Sequence, residues 1–266
     1  MRKAHFAKTG FVLFLVSLLW APLAQARSWD GFTPREPSLK QSGHWEWAWD
    51  GSNGLGIEVP ATVHYVPTGP ARIVITGPDD MLEQLAVGQG QIKARCDDCH
   101  FGRHMLDITV SGVTLRNVAL SGPGEIALGR LDQDRLNLVI SGSGSVSTEG
   151  RIDRMELVVS GSGNAKLGEM AVQQADIHVS GSGWVGAEGR IDRVELAISG
   201  SGKAQLGGVA VRQANIHLSG SGNAMMTPRE MASVSIAGSG VVRMAAKPPQ
   251  LTQSITGSGG VRIGGN

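Results

Sequence analysis

One tetrapeptide, Ser-Gly-Ser-Gly, recurs in this chain from Ser141, Ser160, Ser180, Ser199 and Ser219, at spacings that alternate between 19 and 20 residues. Degenerate copies, Ser121-Gly-Pro-Gly, Ala237-Gly-Ser-Gly and Thr256-Gly-Ser-Gly, extend the series to eight marked turns. A period of about twenty residues signals a stacked repeat, in which no single unit buries its own apolar face. A longer unit is also visible. Ser141–Val179 and Ser180–Leu218 share Glu-Gly-Arg-Ile-Asp-Arg and Ile-His at the same offsets, so a two-coil block has been duplicated.

Aligning the turns shows which side chains point inward. Leu120, Ile140, Val159, Val179, Ile198, Leu218, Ile236 and Ile255 precede them, with Val118, Leu138, Leu157, Ile177, Leu196, Ile216, Val234 and Gln253 two residues earlier. Polar residues such as Asn117, Asn137, Glu156 and Asp176 lie outside these columns, which is the period of two expected of a strand with one buried face. A second inward column follows each turn, from Ile126, Val146 and Ala165 to Val261, so each repeat carries two short inward-facing strands. Stacking at ~4.8 Å merges the columns into one core and pairs the backbone coil to coil. Glycine, at 38 residues, supplies the sharp corners, and serine hydroxyls are placed to meet the turn amides. The fold expected is all-β, a single-stranded β-helix of 19–20-residue coils over residues 111–266.

Residues 27–110 are less regular. His44-Trp-Glu-Trp-Ala-Trp49 alternates, Leu55–Val59, Thr62–Val66 and Arg72–Thr76 read as strands, and Pro78–Leu85 as a short helix. This region is expected to cap the solenoid, because a first coil otherwise exposes an open strand edge. Before it, Arg2, Lys3 and Lys8, the apolar run Phe11–Trp20 and Ala24-Gln-Ala26 have the order of an export signal, predicted to occupy 1–26. The run is too short to span a bilayer, which needs ~20 residues. A periplasmic or secreted protein with no transmembrane anchor after cleavage is expected.

These features resemble the bacterial putative autotransporter adhesin, head GIN domain family. The resemblance is carried by the Ser-Gly-Ser-Gly turns after alternating apolar strands, by Ile73-Val-Ile-Thr-Gly-Pro78 leading to Leu82 and Leu85, and by Ile108-Thr-Val110. It implies a shape similar to the right-handed parallel β-helices of pectin lyases, an adhesin-like role, and no recognised catalytic set.

Chemistry has few places to sit. Cys96-Asp-Asp-Cys99-His100 has the spacing of c-type haem attachment, but it falls between strand-like Gln91–Arg95 and Leu106–Val110, where a hairpin connection is simpler. A local Cys96–Cys99 disulfide is the leading reading in an oxidising compartment, and a zinc site from Cys96, Cys99, His100 and His104 is the other alternative. Gly-Arg-(Leu/Ile)-Asp recurs, placing Arg130 with Asp132, Arg151 with Asp153 and Arg190 with Asp192 along one edge. Copies two coils apart stand ~10 Å apart, a spacing suited to charged groups of a polysaccharide; the plainer reading is a solvated ladder kept by duplication. His178 and His217 face outward, too far apart to share an ion.

Lysine plus arginine (24) nearly balances aspartate plus glutamate (23), so no bulk field draws the chain to nucleic acid. The function expected is a non-catalytic, adhesin-like envelope protein without a cofactor, binding a cell-surface or envelope glycan or protein. A polysaccharide-active enzyme and a haem or metal carrier are the alternatives. The last coil, from Thr256, ends the repeat series without a cap helix, which suggests self-association through that edge.

Overall fold

The computed structural model describes residues 32–50, 53–96, 98–99, 101–102 and 104–264; the expected export signal lies outside them. Short strands come first: β1 (Leu39–Gln41), β2 (His44–Ala48), β3 (Gly54–Ile57), β4 (Ala61–Val66) and β5 (Arg72–Thr76). A single helical turn, α1 (Asp79–Leu82), precedes β6 (Leu85–Gly88), β7 (Gln91–Ala94), β8 (Leu106–Ser111) and β9 (Asn117–Ser121). The regular coils follow as long bent strands: β10 (Gly124–Gly142), β11 (Ser145–Gly161), β12 (Asn164–Gly181), β13 (Trp184–Gly200), β14 (Lys203–Gly220) and β15 (Asn223–Gly238). The last are β16 (Val241–Met244), β17 (Gln250–Thr256) and β18 (Gly260–Ile263).

From β10 to β15 every coil pairs in parallel with the next, and like positions stand opposite: Ile140 beside Val159, Val159 beside Val179, Val179 beside Ile198. The solenoid expected from the turn spacing is the fold. Each turn's first glycine has positive φ, from +99° at Gly122 to +127° at Gly238. The turn amides are met by backbone and not by serine hydroxyls: Ser182 N–H donates to Gly161 O at 2.8 Å and Ser201 N–H to Gly181 O at 2.9 Å. The ladder thus runs through the corner, which a side chain on glycine would interrupt.

Both inward columns are buried, save in the last coil, where Ile255 and Ile263 are 39% and 42% exposed. The sequence reading missed two further columns. Ile152, Val172, Ile191 and Val211 form one, and Leu136, Met155, Ala175, Val194 and Ala214 another. These line the stretch between the second corner and the long outward-facing strand, so the coil has inward side chains along most of its circuit.

The spacing alternation also has a structural cause. Between β11 and β12 the pairs Thr148–Leu167 and Gly150–Met170 enclose one residue on one strand and two on the other. Between β13 and β14 the pairs Gly186–Gln205 and Glu188–Gly208 do the same. The 20-residue coils therefore carry a β-bulge, at Gly168–Glu169 and at Leu206–Gly207.

In the first third, chain order departs from stacking order. β3 lies between β7 and β9, and β4 between β8 and β10, all parallel, so the β3–β4 coil sits inside the stack. β5 then runs antiparallel along β8, with β2 on β5 and β1 on β2. Trp45 and Trp47 are buried in this sheet, 5.8 Å apart between ring centroids. The expected short helix shrinks to one turn. The expected β7–β8 hairpin does not form: β7 pairs with β3 and β6, and β8 with β4 and β5.

Candidate functional site

Glycines make a second corner in the 19-residue coils that begin at Ser141 and Ser180. Gly150 (φ +112°) and Gly189 (φ +97°) lie so close to the preceding coil that a Cβ would meet the backbone of Leu131 and of Met170. The charged ladder begins just after. Arg151 donates to Asp153 at 3.1 Å and lies 3.6 Å from Asp132. Arg190 donates through Nε and Nη2 to Asp192 at 3.1 and 2.9 Å. Arg130 lies 3.5 Å from Glu149.

The expected single edge is only partly there. Arg151 and Arg190 share a column through Ala171, but a register shift after Ala127 sets Arg130 opposite Glu149 and Asp132 opposite Arg151. The residue in line with Asp153 is Asp134. All three arginines of the sequence-read ladder are thus occupied by carboxylates, which weakens their claim on a ligand.

Beside them runs a groove of about 410 Å³ across five coils. One wall is the column Asp134, Asp153, Gln173, Asp192 and Arg212; the other holds Arg135, Arg154, Gln174 and Arg193. Each carboxylate of the groove has its own cation: Arg116 for Asp134 at 3.0 Å, Arg151 for Asp153, Arg190 for Asp192. Gln173 also donates to Asp153 at 3.0 Å, and Arg212 lies 3.6 Å from Glu230. Arg135, Arg154 and Arg193 have no ion-pair partner among the described residues. Arg135 and Arg154 stand directly opposite each other, with Arg193 in line two coils on. Like charges directly opposite on neighbouring strands destabilise a sheet. A bound anion would relieve that repulsion.

Sequence reasoning passed over these three because it stopped at the repeated Gly-Arg-(Leu/Ile)-Asp, just short of them. The signal was the exposed arginine that follows: Arg154 and Arg193 end Glu-Gly-Arg-Ile-Asp-Arg, and Arg135 follows Asp-Gln-Asp.

The other candidates lie elsewhere. Cys96 and Cys99 are joined as a disulfide with Cα atoms 5.2 Å apart; haem attachment or metal ligation would require opening it. His100 is outside the described residues and His104 is exposed. His178 and His217 flank Ala197, two coils apart. No cluster of three metal-binding side chains occurs among the described residues.

A family model described as "Putative auto-transporter adhesin, head GIN domain" matches residues 53–248. The chain belongs to this family. Head GIN domain proteins are putative adhesins without an established biochemical activity. Similar solved structures include a putative adhesin of Bacteroides fragilis, 20% identical with TM-score 0.59, and one of Parabacteroides merdae, 20% identical with TM-score 0.73. A protein of Parabacteroides distasonis named a putative lipid binding protein is 18% identical with TM-score 0.75. In each case the match covers 83% of this chain and 95% of the other. At these identities the likeness is one of fold. No curated protein matches the chain. No helix among the described residues is long and apolar enough to cross a membrane.

Proposed function

We propose that this head GIN domain protein is an exported, non-catalytic binding solenoid, adhesin-like, whose groove holds an extended acidic polysaccharide of the cell surface or envelope. The observation that carries this is the column Arg135, Arg154 and Arg193, stacked in one groove without counter-ions among the described residues while every carboxylate lining it is already paired. Guanidinium groups fit carboxylate geometry in bidentate fashion, and strands ~4.8 Å apart offer them one and two coil spacings from each other along the stack. Export is supported by the basic, apolar and Ala-Gln-Ala order of residues 1–26.

The test is binding of residues 27–266 to polygalacturonate, with dextran as a neutral control, at low and physiological salt. Arg154→Ala and Arg193→Ala should each weaken binding about two- to fivefold, the worth of an exposed charge pair of ~0.5–1 kcal/mol. Arg151→Ala and Arg190→Ala should change it less, and added salt should weaken all of it. Absence of saturable binding, or equal losses in both pairs of variants, overturns the reading.

A further inference from the structure

A different face of the coil carries a second recess, of about 450 Å³, unrelated to the arginine column. Its centre is Trp184, the only aromatic residue in 111–266. The indole is half-buried and lies along its own strand over Gly186; a Cβ there would run into ring atoms Cη2 and Cζ2. On either side, the bulges of the 20-residue coils bring Gly168 and Gly207 to the rim of the recess. The 19-residue coil bearing Trp184 is therefore the floor between two bulged neighbours.

The duplicated block shows how specific this arrangement is. Ser145, Ser147, Thr148, Lys166 and Glu169 in the first copy become Trp184, Gly186, Ala187, Gln205 and Gly208 in the second, and all five of these later residues line the recess. Stacking explains the shared positions, but it gives no reason for a serine to become tryptophan on an outward face, nor for the residue beneath the ring to lose its side chain. Lys166, Glu188 and Gln205 stand on the rim, exposed and with no hydrogen-bond or ion-pair partner among the described residues.

We infer that this recess is a carbohydrate subsite in which the apolar face of a neutral or N-acetylated hexose ring packs on the Trp184 indole. Its hydroxyls or amide are then met by Lys166, Glu188 and Gln205. The chemistry matches part for part. A pyranose has an apolar C–H face and a polar edge, and the recess has an aromatic floor with uncommitted donors and an acceptor at its rim. An alkyl chain would make no use of those three polar groups, which makes it the poorer occupant.

The probes are N-acetylglucosamine tetramer and cellotetraose, titrated against residues 27–266 and followed by heat and by tryptophan fluorescence. Trp184→Ser installs the residue of the first copy at a position where that copy folds, so the solenoid should keep its urea midpoint within a few tenths of a molar, whereas Gly186→Ser puts a Cβ against the indole and displaces the half-buried ring from the floor. Saturable binding to either oligosaccharide, weakened at least tenfold by Trp184→Ser and severalfold by Gly186→Ser but unchanged by Arg154→Ala, supports the subsite. No saturable binding to either probe overturns it, as does binding that Trp184→Ser leaves intact. Decanoate binding that needs Trp184, in a protein that ignores both sugars, also overturns it. The arginine groove and this recess fail independently, since each is read with its own probe and its own variants.

Discussion

Gly122 and Gly181 occupy the same place in their turns, at φ +99° and +106°, yet a Cβ on Gly122 would touch nothing while one on Gly181 would come within 2.7 Å of Gly161 O. Both alanine variants bear the strain of the left-handed region, roughly 1–2 kcal/mol. Only Gly181→Ala also forces two coils apart. It should therefore destabilise by about 1 kcal/mol or more beyond Gly122→Ala, read as the difference in urea midpoints. Asp79 provides a pH-dependent case. The Ser42 hydroxyl and the Gly43 N–H, both 2.7 Å away, hold its carboxyl below the ordinary value of 3.8. A depressed folded-state pKa stabilises above the unfolded value, and the contribution fades as pH falls through the lowered one. The midpoint difference between the parent and Asp79→Asn should accordingly be present at neutral pH and close in strong acid. At this scale the sequence was legible where a residue repeats, as at the corner glycines, and poorly so where it does not. Trp184 was passed over because one aromatic outside a periodic pattern carries no message until its neighbours across the coils are known. Arg154 and Arg193 were passed over because the direction of a side chain after a corner depends on how sharply that corner turns.

The elements of the regular coils were readable because the columns flanking the turns recur in eight coils, and a one-residue slip would expose their apolar side chains. The first third has no such redundancy. β7 and β8 looked like a hairpin because neighbouring strands usually pair, but both are claimed by an inserted coil, β3–β4, whose placement depends on partners far away in sequence. The Cys96–Cys99 link belongs to the loop between them. Closing so short a ring is worth at most about 2 kcal/mol by chain entropy. A Cys96→Ser/Cys99→Ser variant should thus stay folded, with its midpoint lowered by no more than that equivalent, and thiol titration of the unreduced parent should find no free sulfhydryl. A larger loss would mean that the sulfurs organise more than their own loop.

For the molecule as a whole, the likeness of the duplicated blocks, identical at 26 of 39 positions, makes coil number a free variable. Excising Ser180–Leu218 joins Val179 to Ser219, restoring an inward aliphatic before a Ser-Gly-Ser-Gly turn. Stability in stacked repeats is close to a sum of coil and interface contributions. The shortened chain should fold with the same strand signature by circular dichroism and a smaller urea m-value, and it should lose the Trp184 recess while Arg135 and Arg154 remain adjacent. The same stacking has a mechanical side. Each coil is hydrogen-bonded to its neighbours along the axis, so a pull on the last coil loads those bonds a few at a time instead of all together. Tension would peel the protein turn by turn, each step releasing about 7 nm of chain for a 20-residue coil. A tether made this way lengthens under load in small increments and rewinds when the load is removed.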